Sequence, residues 1–127
     1  MIKSDRGNFI YHFMPDLFAP DNVERFQTEI QNLIDEARST ASENVIAAQN
    51  GMKLRTDRQK VLMETTYPVM FIAGKQDSRI PIENIIEQAK LPKHSELIML
   101  SEVGHMGFIE ARAKTEQIIQ SFAHRVF

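Results

Sequence analysis

The chain has 127 residues, 43% of them hydrophobic, with 17 acidic and 15 basic side chains and a formal net charge of −2. That is enough apolar material for one domain core, and the near balance of charge argues against nucleic acid or an anionic membrane as partner. The absence of cysteine excludes disulfides and thiolate metal sites and is neutral about compartment. Met1 to Gly7 lacks the apolar core of a signal peptide and no apolar run approaches membrane-spanning length, so a soluble, cytoplasmic segment is expected.

The first two fifths of the chain read as helical. Pro20-Asp21-Asn22-Val23-Glu24 has the form of a helix start, with Asp21 as N-cap and Glu24 in the capping-box position. Val23, Phe26, Ile30, Leu33, Ile34 and Ala37 recur at three- and four-residue steps and give one apolar stripe. A second start falls at Thr40, with Glu43 as box partner and Asn50-Gly51 as the stop. Thr56-Asp57 opens a shorter helix through Leu62 and Met63. Val69 to Ala73 is then unbroken apolar, the pattern of a strand buried on both faces of a parallel sheet. Pro81 precedes a helical stretch with Ile82, Ile85, Ile86 and Ala89, which Leu91-Pro92 ends. Leu97 to Leu100 is a second buried strand, and a closing helix runs from about Ala111 to Phe122.

The predicted class is α/β: a helical segment, residues 1–66, followed by a β-α-β-α unit with parallel strands, residues 67–127. Such a unit poses a physical problem. Parallel sheets are normally covered on both faces and contain several strands, and two strands neither satisfy their own edges nor bury enough apolar surface. Either the strands pair with another copy of the chain or the rest of the sheet lies elsewhere, and the second reading is the one expected. Self-association of the chain by itself follows from the same exposed edges.

Each strand ends in a loop carrying one residue suited to proton chemistry: Asp77 after Gly74-Lys75-Gln76, and His105 after Val103-Gly104. Either residue alone is ordinary, since an aspartate after a glycine commonly serves a turn. Together, acid first and histidine second, each just past a strand, they have the order of the last two members of a Ser…Asp…His triad. No Gly-x-Ser-x-Gly or other nucleophile elbow occurs in the sequence.

Pro68-Val69-Met70-Phe71-Ile72-Ala73-Gly74-Lys75-Gln76-Asp77-Ser78-Arg79-Ile80-Pro81 resembles the strand-loop of α/β-hydrolases, an apolar strand leading into Gly-x-x-Asp and then x-x-Ile/Val-Pro. Val103-Gly104-His105-Met106-Gly107-Phe108-Ile109-Glu110 resembles the Gly-His segment of the same family, with its acidic residue five positions on. Asp16-Leu17-Phe18-Ala19-Pro20 and Arg55-Thr56-Asp57-Arg58 resemble, more loosely, the cap inserted before the last two strands. The resemblance implies the C-terminal part of an α/β-hydrolase fold, cap plus last two strands. It also implies a serine-type hydrolase cleaving an ester, amide or related acyl bond of a small molecule, with Asp77 as orienting acid and His105 as base. No cofactor, metal, nucleic acid or membrane is implied. An aspartate nucleophile would turn the same skeleton toward dehalogenase or epoxide-hydrolase chemistry. The rival class is a non-catalytic interaction protein or truncated paralogue.

Other candidates are weaker. Glu102 is the alternative acid, three residues before His105. His12, near Tyr11 and Phe13, reads as a surface or packing histidine ahead of a pocket residue, His94 lies in a turn, and His124 belongs to the closing helix. The four histidines show no metal-ligand spacing. Met14, Phe18, Met52, Met106 and Phe108 suit an apolar acyl pocket or, equally, a core.

Overall fold

The structure, a computed structural model, describes residues 6–127. Most of the polar N-terminal segment, Met1 to Asp5, lies outside the described residues. Helix α1 (Arg6–Phe13) leads through two 3₁₀ turns, Pro15–Leu17 and Pro20–Asn22, into α2 (Gln27–Ser39), α3 (Ser42–Leu54) and α4 (Gln59–Glu64). The alternating part follows as β1 (Val69–Gly74), α5 (Ile82–Ala89), β2 (Ser95–Leu100), the single turn α6 (Gly107–Glu110) and α7 (Arg112–Val126). The order α-rich segment, β, α, β, α is the one the sequence predicts.

Several boundaries differ. The helix expected from Asp21 begins at Gln27, and Asp21 sits in a 3₁₀ turn without capping anything. The cause is tertiary. The Asn22 side chain donates to the Glu102 carbonyl and to the Glu110 carboxylate, both at 2.8 Å, and this holds the 20–22 segment in its tight turn. The stripe itself forms: Ile30 and Ile34 are buried, and Val23, Phe26, Leu33 and Ala37 pack around them. Thr40 closes α2 instead of opening α3, because its hydroxyl donates back to the Glu36 carbonyl. Helix α3 continues through Asn50-Gly51 to Leu54, since Gly51 keeps a negative φ and stops nothing. Asp57 does accept the amide of Gln59 at the start of α4.

Strands β1 and β2 pair in parallel, in register from Val69 with Ser95 to Gly74 with Leu100. Helix α5 packs on both strands, as a crossover helix must. Of the two strands only Ala73 and Leu100 are buried, so the two-sided burial expected of Val69 to Ala73 is not reached. A two-stranded sheet offers too little width for helices to cover both faces. The largest buried cluster lies elsewhere: Ile10, Leu17, Phe18, Ile30, Ile34 and Met106 bring α1, the first 3₁₀ turn with Phe18 after it, α2 and the loop before α6 together. Each fully buried isoleucine there contributes about 1.5–3 kcal/mol. The helical segment is thus fastened to the loop that carries His105.

Candidate active site

Parallel strands present their C-terminal ends at one edge of the sheet, so the loops after β1 and β2 are neighbours by construction. Backbone bonds extend the pairing beyond the strands, Lys75 N–H to the Leu100 carbonyl at 2.9 Å and Gln76 N–H to the Val103 carbonyl at 3.0 Å. Two glycines make the close approach possible. A Cβ on Gly74 would collide with the carbonyls of Val103 and Gly104. One on Gly104 would lie 2.6 Å from the Ala19 nitrogen and 2.9 Å from the Leu17 carbonyl oxygen. Neither glycine has a positive φ, so space rather than backbone conformation calls for them.

The two sequence-predicted residues meet there. Asp77 Oδ2 lies 2.9 Å from His105 Nδ1, while Asp77 Oδ1 accepts the amides of Arg79 at 2.7 Å and Ile80 at 3.0 Å. The aspartate side chain is only 12% exposed and the imidazole 35%. Burial by itself raises the Asp77 carboxyl, but the Ile80 amide, the His105 ring and the Arg79 amide outweigh it and hold the group below its ordinary value of 3.8. A carboxylate only accepts, so the facing Nδ1 carries a proton, and in the neutral form of the ring Nε2 keeps its lone pair. Among the described residues the imidazole bonds to no side chain except Asp77. A cavity of about 200 Å³ adjoins the pair, lined by Ile72, Ile80, Ile85, Gly104 and Gly107 beside Asp77 and His105.

Residues 13–19 strap both loops together. The Ser78 hydroxyl donates to the Asp16 carbonyl, and the Arg79 guanidinium sits 3.5 Å from the Asp16 carboxylate and 4.3 Å above the Phe13 ring. The His105 amide donates to the Leu17 carbonyl at 2.7 Å.

The remaining candidates are not gathered at this site. Glu102 is exposed, and only its backbone carbonyl is used, by Asn22. His12 is exposed and meets the edge of Tyr11, and His94 and His124 are exposed. Phe18 and Met106 belong to the buried cluster with Met14 packed on it, whereas Met52 and Phe108 are 63% and 61% exposed. These five side chains therefore form no single pocket. Glu110, to which sequence reasoning assigned no role, is buried behind the histidine loop. Among the described residues no group of three or more His, Cys, Asp or Glu is placed to hold a metal, and no helix is long and apolar enough to cross a membrane.

No protein-family model matches the chain. Over 102 residues it is 24% identical to a pimeloyl-[acyl-carrier protein] methyl ester esterase of Xanthomonas oryzae pv. oryzae, a match covering 79% of this chain and 40% of the relative. A thermophilic esterase from Thermogutta terrifontis superposes with a TM-score of 0.88 at 22% identity, over 98% of this chain and 46% of the other. An esterase from Exiguobacterium antarcticum gives 0.74 at 26% identity, over 94% and 43%. The chain thus spans less than half the length of these proteins. With the strand order and the paired loops, these likenesses give the chain the fold of the C-terminal part of an α/β-hydrolase.

Proposed function

We propose that the chain supplies the acid and the base of a serine-type hydrolase that cleaves an ester, amide or related acyl bond of a small molecule. The carrying observation is the 2.9 Å bond between Asp77 and His105 Nδ1, on an aspartate whose other oxygen is held by two amides. That arrangement fixes the tautomer and aims Nε2 away from the acid. In the proposed reaction Nε2 takes the proton of a serine hydroxyl as its oxygen bonds to the acyl carbon. The proton then passes to the leaving oxygen as the acyl–oxygen bond breaks, and water repeats the sequence to free the acid. Asp77 stabilises the imidazolium formed in between. Residues 1–66 act as cap and residues 67–127 as part of the catalytic core in this reading. The nucleophile and the oxyanion-hole donors come from residues outside these 127.

A fluorophosphonate probe tests the proposal, because it phosphonylates a serine oxygen, with loss of fluoride, only where a base activates that oxygen. Joined to the N-terminal part of a matched esterase, which brings the nucleophile, the chain should support labelling that His105→Ala removes. The chain alone should remain unlabelled. Labelling unaffected by His105→Ala would sink the assignment.

A further inference from the structure

Glu110 is 7% exposed, yet its carboxylate is fully engaged. Oε1 accepts the amides of Gly104 at 2.9 Å and Met106 at 3.2 Å, the residues on either side of His105. Oε2 accepts the amide of Ala19 and the side-chain amide of Asn22, both at 2.8 Å. One oxygen therefore gathers the backbone flanking the imidazole, and the other grips the strap whose Leu17 carbonyl receives the amide of His105 itself. Burying a carboxylate is costly unless its acceptor sites are filled, and four donors from two segments far apart in the chain converge to fill these. None of Ala19, Gly104 and Met106 lies within a helix or strand, so no secondary structure satisfies their amides. An α-helix or β-ladder would have done so at no cost in buried charge. The loop instead takes its shape from one side chain.

We propose that Glu110 is a positioning residue for His105, splinting the loop on both sides of the ring and tying it to the 17–19 strap so that Nδ1 stays on Asp77. The inference rests on the reading of His105 as the base, but its test does not depend on catalysis. In the chain as it stands, the amides of Ala19, Gly104 and Met106 should exchange at least about tenfold more slowly than unstructured amides. Nitrogen NMR of the His105 ring should show the single Nδ1–H tautomer.

Glu110→Gln keeps the volume but replaces one acceptor oxygen with a donor that faces other donors. It should lower the protection of those amides by about tenfold or more and turn the ring into a mixture of tautomers, with α7 amides unchanged. Asp77→Asn should mix the tautomers while leaving amide protection in place. This contrast separates splinting the loop from holding the ring. Unprotected amides in the wild-type chain, or an unmixed tautomer in Glu110→Gln, would overturn the proposal. If Glu110→Gln does not fold, Glu110→Asp, which draws the carboxylate back by one methylene, takes its place: lost protection and mixed tautomers support the proposal, and an unmixed tautomer overturns it. Should His105 prove dispensable for hydrolysis while these NMR results hold, the catalytic reading fails and the positioning role stands.

Discussion

At the scale of single residues, Asp77 makes a prediction about acid stability. Its carboxyl is held below the ordinary 3.8 by two amides and the imidazole. A group with a depressed folded-state value contributes stability that is fully present above the unfolded value and is lost as the pH falls through the folded one. Denaturant midpoints between pH 6 and pH 3 should therefore decline more steeply below about pH 4 for the wild type than for Asp77→Asn. Parallel curves would show that the carboxylate contributes nothing to folding. Gly104→Ala makes a second prediction. Its Cβ would press on backbone at Phe18 and Ala19 that has no side-chain freedom to yield, so the loop and the strap must separate. The His105–Asp77 bond should weaken with them, visible as a mixed ring tautomer; an unchanged ring would mean that the strap does not set the loop. Asp77 and His105 are legible in the sequence because each follows an apolar run by a few residues. The partners of Glu110 are not legible in that way, since Ala19 and Asn22 lie 91 and 88 residues away along the chain.

At the scale of elements, every helix and strand read from periodicity is present with shifted ends, while α1 and the single turn α6 are not read individually from the sequence. Capping patterns name residues able to cap, and tertiary partners decide whether they do. Asp21 lost that role when Asn22 was drawn to Glu110, and Thr40 turned back to Glu36. The stripe of α2 is robust because its period survives any shift in starting point. Ile34 is 2% exposed in that stripe, so Ile34→Ala should cost about 2–5 kcal/mol in chemical denaturation. Leu54, 82% exposed at the end of α3, should cost within about 0.5 kcal/mol on the same change. Equal losses at the two positions would mean that the core does not lie between α1, α2 and the histidine loop.

At the scale of the whole molecule, the half-covered sheet is what two parallel strands by themselves can offer, as the sequence leads one to expect. Among the described residues each strand has a neighbour on one side only. Val61, Met63, Tyr67, Met99 and Phe108 expose more than two fifths of their surface. Unpaired edges and apolar surface of this kind drive association. The 127-residue chain alone is expected to self-associate as its concentration rises, which light scattering would read directly; a stable, well-folded monomer at high concentration would contradict it. What the sequence could not disclose is the substrate, because one fold hosts many chemistries that differ in pocket and nucleophile.

The central claim is that Asp77 and His105 form the acid–base pair of a hydrolase, and hydrolysis of a nitrophenyl ester tests it most directly. The chain alone lacks a nucleophile elbow and should not exceed background. Joined to the N-terminal part of a matched esterase it should turn over, His105→Ala should abolish that turnover, and Asp77→Asn should lower it by about 10⁴-fold with the fold retained. Full activity in either variant, or robust hydrolysis by the chain alone, would contradict the account.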